Sequence, residues 1–278
     1  MLFSKLYEFF KEALIIEESA RKNFFIQKLD PRIKIIATFT GIICVSLIQG
    51  IILYFIILSA TVFLAASGRI NLKDFFLRGL TFIVFFTVII SLPLPFTTPG
   101  EIIAEANILG LNLTVTKQGV YAALNLVLRV WTALNLLNLL VMSTLFDKIT
   151  AALSSMHAPR LLTVTFDLTL KYIFVLVHEA IRVSRAQEAR RSWKPGFMER
   201  VKSVIPVTYN ILLRSHLKAN NIYHTMLARG FNGDYRSLNQ LKIRRSDIIY
   251  FLLSTIFFTT IILIDRVLLP GLTFLTSI

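Results

Sequence analysis

The chain reads as an all-α, polytopic helical membrane protein with about five transmembrane helices and long amphipathic cytoplasmic helices. Three observations carry that class. Apolar residues make up 55% of the 278, and Phe alone numbers 23. Several uninterrupted apolar runs reach the ~17–25 residues that a helix needs to cross a bilayer. No regular ten-residue alternation marks barrel strands, so helices must do the spanning.

Residues 1–32 read as an amphipathic or interfacial segment, with Phe9, Phe10, Phe24 and Phe25 available to lie on lipid or protein. They lack a clean apolar centre followed by a small-residue exit, so no cleavable signal peptide is expected. Asp30 is placed to cap the next helix and Pro31 to occupy its first position. From Ile33 to Ser67 the chain is almost uncharged. As one helix it would extend about 52 Å, against a hydrocarbon core of roughly 30 Å. A break at Gln49-Gly50 yields two short spans, 33–49 and 51–67. A third span covers 75–96 and is interrupted by Pro93 and Pro95. Residues 97–118, with Pro99-Gly100 and Gly110, read as a loop; the fourth span covers 119–145 and the last 248–264.

Charge orients the spans. With the amino terminus cytoplasmic, the inner segments 1–34, 68–79 and 146–245 hold 7, 3 and 17 Lys+Arg, against 0, 1 and 1 in the outer segments 49–50, 97–118 and 265–278. This asymmetry follows the positive-inside tendency and places the carboxyl terminus outside. It also accounts for the net charge of +14 without nucleic acid, because the charge lies beside hydrophobic spans. Three regions result: 1–145, an amphipathic segment with four spans; 146–245, a cytoplasmic domain with two long helices; and 246–278, the last span.

The block 146–245 is too charged to be simply membrane-spanning and too apolar for a disordered tail. A short helix at 146–156 leads into two long ones. The first runs over 160–191, with Ile173, Val177, Ile181 and Ser184 at three- and four-residue spacing, and Pro195-Gly196 stops it. The second runs over 198–229, with Val204, Val207, Ile211, Leu212 and Leu217 as its apolar face and Gly230 as its C-terminal cap.

Both long helices end in Ala-Arg: Ala189-Arg190-Arg191 and Ala228-Arg229-Gly230. An Arg in a last helical turn interacts favourably with the macrodipole, which alone accounts for one such residue. The repetition points further. A small Ala permits close approach of another surface, and a guanidinium binds a carboxylate bidentately. Two such ends suit two equivalent sockets, and so a paired partner. In the fourth span Asn125, Arg129 and Thr132 share a helical face. An intramembrane Arg needs a partner, either in another subunit or within the bundle itself.

The chain resembles the T component of energy-coupling factor (ECF) transporters, particularly CbiQ-like members. The resemblance rests on Leu29-Asp30-Pro31-Arg32-Ile33-Lys34, Arg129-Val130-Trp131, Ala158-Pro159-Arg160, Lys171-Tyr172-Ile173-Phe174, Arg185-Ala186-Gln187-Glu188-Ala189-Arg190 and Ala228-Arg229-Gly230-Phe231. It implies a scaffold in a prokaryotic cell membrane. The scaffold joins two cytoplasmic ABC ATPase subunits to a membrane-embedded substrate-binding S component, for uptake of a transition metal such as cobalt or of a vitamin. It further implies that Arg190 and Arg229 each dock into an acidic groove of one ATPase. One departure stands out: where the first motif usually carries Gly, this chain has Arg191. A non-Gly residue is less comfortable in a left-handed cap, so the first helix is expected to end differently while its charge is kept.

Other chemistries find little support. His157, His178, His216 and His224 form no tight metal-ligand pair and Cys44 lies in another part of the chain, so no metal or cofactor site is expected. Gly-x-x-x-x-Gly-Lys-Ser/Thr, Gly-x-Ser-x-Gly and His-Glu-x-x-His are all missing, which argues against an enzyme. The rivals are a stand-alone secondary transporter, which predicts ionisable residues along a midplane path, and an integral-membrane enzyme, which predicts clustered His, Asp or Glu at the inner interface.

Overall fold

The computed structural model describes residues 24–80, 82–108, 111–156, 158–189, 196–232 and 243–268. Most of the amphipathic segment expected over 1–32 lies outside these residues. The described chain divides into two compact units, one within Phe146–Leu241 and the other within Ser19–Leu145 and Lys242–Ile278.

The second unit is a helical bundle. After the single turn α1 (Phe25–Lys28), α2 (Pro31–Leu47) starts as expected, with the Asp30 carboxylate accepting from Arg32 N at 2.9 Å and Pro31 in the first turn. The expected break falls at Ile48-Gln49-Gly50, and α3 (Ile51–Ser67) follows. At its end Arg69, not Gly68, takes the left-handed conformation (φ 47°), and Ile70 N donates back to Ala65 O. The Arg69 guanidinium lies over the Phe24 ring at 5.2 Å.

The third span falls within Leu72–Thr97, with residue 81 outside the described residues. It comprises α4 (Leu72–Leu80), α5 (Phe82–Ser91) and the single turn α6 (Leu94–Thr97), the last boundary set by Pro93 and Pro95. The expected loop over 97–118 is a β-hairpin, β1 (Ile102–Ile108) antiparallel to β2 (Leu111–Thr116). Leu111-Asn112-Leu113-Thr114-Val115-Thr116 alternates apolar with polar residues and is partly β-branched, which favours a strand over a coil.

Helix α7 (Lys117–Ser143) is the axis of the bundle and packs against α2, α3, α4, α5 and α6. Thr116 caps it by accepting from Gly119 N at 3.2 Å. Gly119 lets α6 approach closely, since a Cβ there would lie 2.7 Å from Leu94 O and Pro95 Cα. At the other end the buried Lys34 ammonium donates to Ser143 O (3.0 Å) and Thr144 Oγ1 (3.2 Å), a cation against the negative end of the helix. Helix α11 (Arg245–Leu268) packs on α2. Cys44, Val45, Tyr54, Ile57, Leu136, Phe258 and Ile261 form the main core among α2, α3, α7 and α11.

The other unit contains α8 (Phe146–Ser155), α9 (Arg160–Ala189) and α10 (Phe197–Ala228), with α9 packed on both α8 and α10. Pro206 lies inside α10; it removes one backbone donor, and Asn210 Nδ2 donates to its carbonyl at 2.9 Å.

By length and composition, three described helices suffice to cross a membrane: Lys117–Ser143, Leu161–Gln187 and Arg245–Val267. Shorter apolar helices are Ile51–Ser67 and Phe85–Thr97. The protein is a multi-pass membrane protein. Leu161–Gln187 lies within the helix read from sequence as cytoplasmic and amphipathic. Over residues 161–178 its only Asp, Glu, Lys or Arg residues are Asp167 and Lys171, which pair at 2.7 Å; beyond them Glu179, Arg182 and Arg185 accumulate.

Candidate functional site: the ends of the two long helices

Helix α10 ends in a fully formed C-terminal cap. Gly230 has φ +78°, Phe231 N donates to Met226 O at 3.0 Å, and Gly230 N donates to Leu227 O at 2.9 Å. This pair of bonds is the Schellman arrangement, whose left-handed position Gly occupies without a Cβ penalty. It halts the helix so that Ala228, Arg229 and Gly230 are all exposed, and no described acid pairs with Arg229. The small Ala, the cation and the turn therefore form one accessible tip.

Helix α9 is described as far as Ala189, which is exposed. Arg190 and Arg191 lie outside the described residues, as does the turn that would replace a glycine cap. The approach to this end is built by the contact between α9 and α10. Glu179 on α9 accepts a hydrogen bond from Arg214 Nη1 on α10 and lies 3.5 Å from Arg182 Nη1. Ser184 and Val207 are buried. The sequence reading missed this cross-helix pair. Its only signal is that residues 179 and 214 stand at similar distances either side of Pro195-Gly196, as partners in adjoining helices do.

The intramembrane residues form a second polar centre, inside the bundle. Arg129 Nη2 donates to Ile48 O at 3.2 Å and to Asn125 Oδ1 at 3.4 Å, and its Nε reaches Tyr54 Oη at 3.4 Å. Tyr54 Oη donates to Ile48 O and lies 2.9 Å from Asn125 Oδ1, while Asn125 Nδ2 donates to Gln49 O. Tyr121 Oη also donates to Gln49 O, at 3.0 Å. From the opposite side the Asp265 carboxylate accepts from Gln49 N (3.2 Å) and Gly50 N (3.0 Å). Asp265, placed beyond the last span by the sequence reading, lies in the last turns of α11.

Arg129 and Asn125 thus meet around the α2–α3 break, where they bond backbone carbonyls freed by the interruption. Thr132 does not join them; it is fully buried and its hydroxyl donates to Leu128 O at 2.7 Å. Among the histidines, His178 Nδ1 sits 2.8 Å from Phe174 O, His216 Nε2 contacts Asn220 at 3.3 Å and His224 packs on Tyr223; His157 lies outside the described residues.

The family model for CbiQ, cobalt transport protein, matches residues 22–241. An uncharacterized protein of Methanocaldococcus jannaschii is 26% identical over 272 residues, covering 95% of this chain and 92% of the relative. The energy-coupling factor transporter transmembrane protein EcfT of Ruminiclostridium cellulolyticum is 27% identical, covering 88% of this chain and 94% of its own. EcfT of Staphylococcus aureus is 26% identical, with 86% and 92% covered. The chain belongs to the CbiQ family, among the transmembrane components of energy-coupling factor transporters.

Proposed function

We propose that this chain is the coupling subunit of an ATP-driven importer in a prokaryotic cell membrane. It stands between two cytoplasmic ABC ATPase subunits and a membrane-embedded substrate-binding S component. Residues 1–145 and 246–278 form the membrane scaffold with the amino terminus cytoplasmic, and residues 146–245 form the coupling domain. The cargo class is a micronutrient, either a transition metal such as cobalt or a vitamin. This chain performs no catalysis.

The observation that carries the reading is the tip of α10. Ala228, Arg229 and Gly230 are exposed, and the cap stops the backbone so that the guanidinium projects from a helix end. Such a tip fits a carboxylate-lined socket, where an Arg makes two parallel charge-assisted bonds. The motif at Ala189, Arg190 and Arg191 supplies the matching end of α9. ATP-dependent closure of the paired motors moves the two tips, and the long helices carry that displacement toward the membrane.

The test is uptake in vesicles or cells. Replacing Arg190 and Arg229 together with Glu is expected to abolish uptake and ATPase co-purification while the protein remains membrane-inserted. Unchanged uptake refutes the reading. Orientation is checked separately by a reporter fused after Ile278, which is expected to label from outside the cell.

A further inference from the structure

The contact between α9 and α10 carries a charge pair where an apolar seam would have served packing. Val207 (2% exposed) and Ser184 (5%) are the most buried side chains described near it. Next to them Glu179 receives Arg214 from across the gap and Arg182 from its own helix. Past this point α10 is largely unsupported among the described residues, with Leu217, Tyr223 and Leu227 roughly half exposed.

We propose that the Glu179–Arg214 pair is the pivot between the two long helices, a positioning pair that sets the spacing of the two arginine-bearing tips. At 1.5 Å per residue the arm from Glu179 to Ala189 is about 15 Å and that from Arg214 to Ala228 about 21 Å. With arms of that length, a small rotation at the pivot becomes a displacement of several ångströms at a tip. Apolar contact is non-directional and lets helices roll or slide. The contact of the Arg214 guanidinium with the Glu179 carboxylate instead ties one point of α10 to one point of α9. The pair is too exposed to contribute much stability (Arg214 side chain 59%, Glu179 21%), so its contribution is geometric. Pro206, about two turns before Arg214, removes a helix hydrogen bond and lowers the resistance of α10 to bending there.

This inference rests on the coupling function proposed above, and the two are separable by experiment. In a Cys44→Ala background, spin labels at Ala186→Cys and Asn221→Cys report the spacing of the arms in the full chain in nanodiscs, away from both tips. Glu179→Arg or Arg214→Glu alone is expected to broaden and shift the distance distribution. The double exchange Glu179→Arg with Arg214→Glu restores it, because the attraction returns with its sign reversed. In the reconstituted transporter each single variant is expected to lower substrate moved per ATP hydrolysed by about threefold or more. The double exchange recovers that ratio, and the ATPases co-purify in every case. A distance distribution unchanged in both single variants overturns the pivot, as does a double exchange no better than the singles. Failure of the unaltered chain to retain ATPases refutes the coupling function instead and leaves the distance measurement standing.

Discussion

The polar break in the bundle and the polar tip of α10 treat exposed backbone and charge in opposite ways. At Ile48-Gln49-Gly50, Tyr54, Tyr121, Asn125, Arg129 and Asp265 converge from three helices to bond the freed carbonyls and amides. At Ala228-Arg229-Gly230 the cap bonds satisfy the backbone, and the guanidinium is presented outward. The outward apolar surfaces differ in the same sense. On α3, Ile52 and Phe63 are about three-quarters exposed on a helix without a single charge, a surface suited to lipid. On α10, Leu212 and Leu217 stand among Arg214 and Lys218, a surface that pure hydrocarbon does not satisfy. The bundle answers its own polarity; the end of α10 presents its charge to the outside.

Substitutions sharpen the contrast. The largest loss of stability is expected at Asp247, only 1% exposed, whose carboxylate accepts from Asp30 N at 3.0 Å and Arg244 N at 2.6 Å. Asp247→Ala orphans one buried and one partly buried donor and is expected to cost about 2–4 kcal/mol in detergent unfolding. Gly119→Ala comes next. Its Cβ meets the α6 backbone, which has no rotamer by which to yield, and about 1–3 kcal/mol is expected in the same assay. Tyr54→Phe removes one hydroxyl shared between Ile48 O and Asn125, for about 1 kcal/mol. Leu212→Ser on α10 is expected to stay within about 0.5 kcal/mol of the unaltered chain, yet to weaken recovery of the assembled transporter in pull-downs. A large stability loss there would erase the distinction between the two regions.

Much of this contrast is legible in the residues. Asp30-Pro31 announces the start of α2, Gln49-Gly50 its division from α3, and Gly230 the end of α10, because each is a local signal read over a few positions. The hairpin was legible too, in the alternation of residues 111–116, but Pro and Gly nearby favoured a loop. What escaped is contact at long separation. Nothing local pairs Glu179 with Arg214, or tells Arg129 that its partner is the carbonyl of Ile48 eighty-one residues earlier. Thr132 illustrates the converse: helical phase put it beside Arg129, but a Thr hydroxyl in a helix bonds its own preceding turn more readily.

The ties from α11 to α2 have a consequence for biogenesis. Asp247 bonds the backbone of a residue 217 positions earlier, and Asp265 bonds backbone 215–216 positions earlier. At about 5–20 residues per second, ribosomal synthesis separates the two helices by roughly 10–40 s. Throughout that interval the amides of Asp30, Gln49 and Gly50 wait without the carboxylates that accept from them in the folded bundle. A chain released before its final segment is expected to expose these three amides, and with them a handle for membrane quality control.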